Sequence, residues 1–392
     1  MDQLSRFLIT IGLISAPTLR GVYAPVPENE QGKDFVLSVK GGLAHDSNLF
    51  GAATNAISSA ILTLAPRATY NRSLTDQTFL SASYGLTLDQ FDNRPGDKLL
   101  DSHDLNLRLA HAFSKKTTID VSESLSIARN PESLLAGIRL NMDQSYTRNQ
   151  IDGRFETPLA AKLGLTAKLR SVYYEYREAV LGRSLDRIEN LYGLSADYAV
   201  LPETKAVVEY RHQDIYYTKM GEAKNKTSEY LMGGVDYEVA RKLTLNGRLG
   251  IEWRSRRSER DAMAPYLELS AKHDYAEKSF ILGGLGYSID ETSNTATYND
   301  AKIYRLFVSL RHSLTALIVA SGSVSFEPST LQGRRGQADV DETSVRMGAA
   351  LSYLPTRNWI VSASFDYDRV RSDEATRALR RTRFGLNATH SF

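Results

Sequence analysis

Three histidine–aspartate neighbours, His45-Asp46, His103-Asp104 and His273-Asp274, are the residues most suggestive of chemistry. A carboxylate that orients an imidazole makes a general base. All three pairs lie in stretches where apolar and polar residues alternate, and alternation is the strand period. Adjacent side chains on a strand point to opposite faces, so neither partner can orient the other. The stretch "GYSID" (286–290) lacks the second glycine of a nucleophile elbow and has no strand-turn-helix context. The chain has no HExxH, phosphate-binding loop or metal-ligand cluster, and without cysteine it has no thiolate site or disulfide. The sequence therefore predicts no enzyme, no cofactor and no metal.

What must be positioned, then, is a set of charges on strands. "TFLSASYGLTLDQF" sets Leu80, Ala82, Tyr84, Leu86 and Leu88 against Ser81, Ser83, Gly85, Thr87 and Asp89. "KLTLNGRLGIEWR" and "NWIVSASFDYD" divide in the same way. About eighteen such segments follow Phe35, with sixteen as the alternative count. Their connections alternate between tight ("RSLTDQ", "FSKKTT", "LPETK", "YAEKS", "LPTRN") and longer polar ones ("QFDNRPGDKLLD", "EPSTLQGRRGQADVDE"). Short turns on one side and longer loops on the other are the signature of a transmembrane antiparallel up-and-down β-barrel. A soluble β-sandwich has no reason to sort its turns by side. The expected fold is all-β, with a single barrel over 35–392.

Composition agrees. Mean hydropathy is −0.33, and beyond the N-terminus no apolar run approaches the roughly 18 residues of a spanning helix. The net charge of +2 gives no global field for nucleic acid. Residues 1–24 resemble a secretory signal, with Arg6, an apolar core from Phe7 to Leu19 and Val22-Tyr23-Ala24 before the cut. Residues 25–34 then form a short periplasmic stub, and both termini are expected on the periplasmic side. Aromatic girdles are expected from Phe113, Tyr198, Tyr275, Tyr353 and Phe392 at tight-turn ends, with Trp253, Tyr287 and Tyr367 toward the loops.

In such a barrel the apolar parity faces lipid and the polar parity lines the lumen. The lining is expected to include Arg108, Lys168, Arg170, Arg248, Glu252, Arg254, Arg305, Arg346, Asp366, Asp368, Arg381 and Arg383. Its cations and anions nearly balance, which suits cross-strand ion pairing in the wall and a polar path for neutral or mixed-charge solutes. Tyr174, Tyr176, Tyr230 and Tyr266 on the same parity could stack on sugar faces. No connection looks long enough to fold extensively inward. Two segments fit poorly: Glu123 interrupts the apolar parity of "TTIDVSESLSI", and "QSYTRNQIDGRFE" is polar on both parities. Glu123 and Arg148 are accordingly candidates for a protein interface where they could pair.

The C-terminus "RFGLNATHSF" places Phe384, Leu386, Ala388 and Phe392 on one apolar parity. That pattern resembles the β-signal by which bacterial outer-membrane barrels are handed to their assembly machinery, with His390 where the family most often has Tyr. The early "GGLAHDSNLF" and the hairpin run that follows resemble the putative beta-barrel porin (type 2) family. The resemblance implies a Gram-negative outer-membrane channel, embedded in outer-membrane lipid. In some relatives such a channel serves capsule or exopolysaccharide export with a periplasmic partner. The expected function is passage of polar solutes, carbohydrate foremost. Polysaccharide export, or a structural or adhesive barrel with a blocked lumen, are the alternatives. A homo-oligomer or an export protein are the candidate partners, and nucleic acid is not expected.

Overall fold

The computed structural model describes residues 34–129, 145–219, 222–239, 242–292 and 297–392. The expected signal segment 1–24, and the stub up to residue 33, lie outside the described residues.

The first nine strands are β1 (Phe35–Asp46), β2 (Ser59–Thr75), β3 (Thr78–Phe91), β4 (Leu99–Ala112), β5 (Thr118–Ala128), β6 (Tyr146–Pro158), β7 (Leu163–Tyr176), β8 (Arg187–Leu201) and β9 (Thr204–Tyr217). The second nine are β10 (Lys226–Val239), β11 (Leu243–Arg256), β12 (Ala262–Ala276), β13 (Ser279–Asp290), β14 (Tyr298–Ser313), β15 (Ile318–Gly333), β16 (Val340–Thr356), β17 (Trp359–Ser372) and β18 (Leu379–Ser391). Each pairs antiparallel with its neighbour in sequence, and β1 pairs with β18 from Ser38↔Ser391 to Asp46↔Arg383. The sheet is thus a closed barrel of 18 strands, and the sixteen-strand alternative falls. Closure satisfies the backbone of every strand without an edge, as a bilayer requires.

Register partners share a face, so one outward residue fixes a whole row. Leu80↔Leu109, Leu109↔Val121 and Val121↔Gly153 run across four strands in this way. Exposed Leu62, Leu109, Leu194, Leu249, Leu306 and Leu386 mark the apolar outer face. Residues 76–77, 202–203, 277–278 and 357–358 make two-residue turns at the end that carries both strand termini, Phe35 and Ser391. Tyr198, Tyr275, Tyr353 and Phe392 stand exposed near that end, and Trp253 near the other. Tyr287 differs: it is buried against the Tyr304 ring, 4.5 Å away.

Two loops at the far end do turn inward, contrary to the expectation from their lengths. Leu49, from the β1–β2 connection, packs on Ile61, Phe91 and Leu100, all on the inner parity. The short helix α1 (Ala179–Leu185) between β7 and β8 lays Leu181 and Leu185 on Tyr176, with Tyr146 and Tyr174 beside them. Few apolar residues suffice for this inward fold, because the inner face of the strand ends already offers Phe91 and Tyr176.

The poorly patterned strands β5 and β6 are both present and paired from Thr118↔Glu156 to Ala128↔Tyr146. Glu123 shares the outer face with Leu107 and Ile151. Arg148 does not share it. Its neighbours on the inner face are Ser126 and Tyr174, and its Nε donates to the Tyr174 hydroxyl at 3.1 Å. The expected Glu123–Arg148 pair is therefore corrected. The two lie on opposite faces of the sheet, and Glu123 instead accepts from Asn149 Nδ2 at 3.1 Å.

Candidate functional site

The inner wall is built from long polar side chains that reach over intervening strands. Lys168 on β7 donates to Glu209 on β9 at 3.0 Å. Between them, β8 presents Gly193, register partner of both Lys168 and Arg211. With no side chain at 193, the lysine passes over unhindered. Glu209 also accepts from Arg211 Nε at 2.7 Å and pairs with Arg248 of β11 at 3.6 Å. Arg248 crosses β10 at Gly234, where a Cβ would stand 2.7 Å from its Cδ, and it donates to Asp236 at 2.8 Å. At Gly234 a Cβ would also collide with the Gly247 carbonyl at 2.0 Å, whereas at Gly193 it would only touch Lys168, 3.4 Å from that residue's Cβ.

The network continues around the wall. Arg211 donates to the Tyr266 hydroxyl at 3.0 Å, and that hydroxyl donates to Glu268 at 2.9 Å. Arg108 on β4 donates to Asp120 on β5 at 3.0 Å, and Arg170 on β7 to Asp152 on β6 at 2.6 Å. Arg305 on β14 donates to Ser288 at 2.9 Å and pairs with Asp290. Arg346 is register partner of Asp368, and Asp366 of Arg383. Arg381 and Arg383 both donate to Asp46 across the β1–β18 seam.

Toward the outer mouth the charges close into a knot. Arg254 donates to Glu252 at 2.9 Å, to Asp300 at 2.7 Å and to the Ile289 carbonyl at 2.8 Å. Lys226 donates to Asp300 at 2.7 Å and Glu291 at 2.8 Å, and the Tyr217 hydroxyl donates to Glu291 at 2.5 Å. These groups come from β9, β10, β11, β14 and the β13–β14 loop. Side chains separated by several strands meet only on the concave side of a barrel.

The twelve residues expected to line the lumen all fall on this inner parity, and they do not form one class. Glu252, Arg254 and Arg381 are buried beneath their partners and brace the wall. Arg108, Lys168 and Arg170 keep a fifth to a third of their side chains exposed. The expected sugar-stacking tyrosines need correcting. Tyr176, Tyr230 and Tyr266 are buried, and Tyr174 carries the Arg187 guanidinium over its ring at 4.3 Å. Sequence reasoning missed Asp46, Lys226, Glu291 and Asp300. Asp46 was legible from the β1 parity. Asp300 sits at a register shift between Tyr298 and Ala301, and Glu291 lies beyond the end of β13, so period-two counting fails for both.

On the outer face, Phe384, Leu386 and Phe392 are more than half exposed. Phe384 packs on Phe365 with ring centres 4.8 Å apart, and His390 sits between Trp359 at 4.7 Å and Phe392 at 4.4 Å. The histidine–aspartate neighbours stand on opposite faces. His103 instead bonds Asp101 at 3.0 Å and Tyr84 at 2.8 Å along the outer rim.

Among solved structures, the chain is similar to OpdK of Pseudomonas aeruginosa, solved with vanillate, at 10% identity and TM-score 0.48, covering 92% of this chain and 99% of that one. It is similar to OccAB4 of Acinetobacter baumannii at 9% identity and TM-score 0.48, covering 93% and 100%. Its likeness to the copper transporter OprC is 16% identity and TM-score 0.46, over 88% of this chain, which spans 63% of OprC's length. Comparison with curated protein sequences finds no match. The profile of the family described as "Putative beta-barrel porin 2" matches residues 35–392, which is the whole barrel. The chain belongs to that family and is a porin-like β-barrel channel of the Gram-negative outer membrane.

Proposed function

We propose that this barrel passes polar solutes by diffusion along its inner wall, with carbohydrate the class that the wall suits best, and that it carries out no chemistry. The observation behind the proposal is the run Lys168–Glu209–Arg211–Tyr266–Glu268, in which donors and acceptors alternate over β7 to β12. Each charge in the run has an opposite charge no farther than 3.8 Å, so the wall presents polarity without a strong field of one sign. Hydroxylated solutes exchange hydrogen bonds with such a surface at little net cost. Sugar recognition then rests on hydrogen bonding, since the tyrosine faces are covered.

Planar-bilayer recording tests the reading. The folded barrel should conduct, with only weak preference between potassium and chloride at low salt, where unbalanced wall charge is least screened. Graded oligosaccharides should block the current. An absence of conductance, or a strong preference for one ion under these conditions, would sink the proposal.

A further inference from the structure

Two arginines stand directly opposite each other on the outside of the wall, near the outer mouth. Arg369, close to the end of β17, is register partner of Arg380, at the start of β18, and both are exposed. Arg371, two residues further along β17, is exposed on the same parity. Opposed side chains on neighbouring strands stand about 4.5–5.5 Å apart at Cβ, and like charges so placed repel. The carboxylates of this rim do not relieve them. Asp341 accepts from the Thr330 hydroxyl at 2.7 Å, and Glu374 accepts from the Tyr298 and Thr376 hydroxyls, each at 2.9 Å. Asp366 and Asp368 lie on the inner parity of β17, opposite Arg383 and Arg381. Among the described residues no carboxylate, Asp373 included, forms an ion pair with Arg369, Arg371 or Arg380. The face beneath the three cations is graded. One outer position down β17 is Tyr367, its ring centre 5.7 Å from the Arg380 guanidinium. One further down, Phe365 meets Phe384 of β18 with ring centres 4.8 Å apart, and Phe384 is more than half exposed.

We propose that this strip of β17 and β18 binds an anionic lipid of the outer leaflet, with its phosphate against Arg369, Arg371 and Arg380 and its acyl chains along Phe365 and Phe384. Guanidinium gives phosphate charge-assisted, bidentate hydrogen bonds. A phosphate between Arg369 and Arg380 replaces their repulsion by two attractions. The order apolar ring, tyrosine, cation follows an amphiphile from tail to head, with each step of two residues climbing roughly 7 Å along the strand. A free ion has no use for the rings below the arginines, whereas a lipid uses both. The strip lies outside the wall, so it goes beyond the channel reading and does not depend on what crosses the lumen.

The test is native mass spectrometry of the folded full chain released from detergent micelles, after titration with diphosphorylated lipid A, with zwitterionic phosphatidylcholine or with inorganic phosphate. Lipid A should be retained in preference to the other two. Arg369→Gln and Arg380→Gln should each weaken its retention about tenfold or more, the loss expected for a hydrogen bond to a charged group. Lys98→Gln, the same charge change on the β3–β4 loop, should not. Heat-modified gel mobility reports folding. Both arginines are exposed and face a like charge, so each variant should fold in lipid-free detergent as the wild type does. Failure of both to fold would make the pair a brace of the wall and overturn the proposal. Equal retention of phosphatidylcholine, unchanged retention in the folded variants, or inorganic phosphate held as tightly as lipid A would overturn it as well.

Discussion

Asp46, the last residue of β1, holds Arg381 of β18 through Nε contacts of 3.1 and 2.9 Å, and the pair is almost wholly buried. Arg383 adds a third guanidinium contact at 3.0 Å. One carboxylate thus ties the first strand to the last at the outer end of the seam. Asn48, two residues on, completes the tie by donating to the Arg380 carbonyl at 3.1 Å.

Replacing Asp46 by Asn leaves two arginines facing a neutral amide. Breaking one partner of a buried ion pair costs on the order of 3 kcal/mol. The folded band of Asp46→Asn should convert to the unfolded form at a lower temperature on a gel-shift melt. An unchanged midpoint would show that the seam does not depend on this carboxylate.

Topology is testable by labelling intact cells. Asn93, on the exposed β3–β4 connection, and Lys115, on the β4–β5 turn, lie at opposite ends of the barrel. Cysteine at 93 should react with an impermeant maleimide and cysteine at 115 should not. The reverse pattern would invert the barrel.

Phe392 stands outside the wall, with its backbone N–H donating to the Leu37 carbonyl at 2.8 Å and its ring edge-on to His390. Deleting it should lower the yield of folded barrel while surviving channels conduct normally. A normal yield would refute its role as an assembly signal, and altered single-channel current would place it in the conduction path.

Glu123 faces outward with Leu107 and Ile151 as register partners, near the middle of the apolar belt. A charge at that depth of a lipid-facing wall costs up to about 2–4 kcal/mol for Lys or Arg and less for Glu. Glu123→Leu should fold, conduct normally and melt at a higher temperature in detergent. Loss of a crosslinked species from native membranes in the same variant would mark this seam as a contact with another protein.

Strand parity made the wall legible in the sequence. "TFLSASYGLTLDQF" and "NWIVSASFDYD" each carry one apolar face, and a one-residue slip would turn that face to the lumen, so pattern and register enforce each other. The alternating connections then fixed the topology. What stayed hidden is what crosses strands. Nothing local to Lys168 points to Glu209, two strands away, and Gly193 gives no sign that it is the gap between them. The buried tyrosines escaped for the same reason. Parity placed Tyr230 and Tyr266 on the inner face, and only the structure shows that they are buried edge to face against each other, ring centres 5.6 Å apart. Arg148 failed in the opposite way. With both parities of β6 polar, the sequence offered no apolar row to decide which face was out.

The β1–β18 seam joins segments separated by almost the entire chain. Until the last strand is synthesised and delivered, β1 and β17 each carry a raw row of backbone donors and acceptors. Any product cut short before β18 keeps both rows open and cannot be satisfied in a bilayer. Completeness of the polypeptide is thereby checked by geometry itself. A copy cut before β18 should therefore give no closed, heat-modifiable barrel.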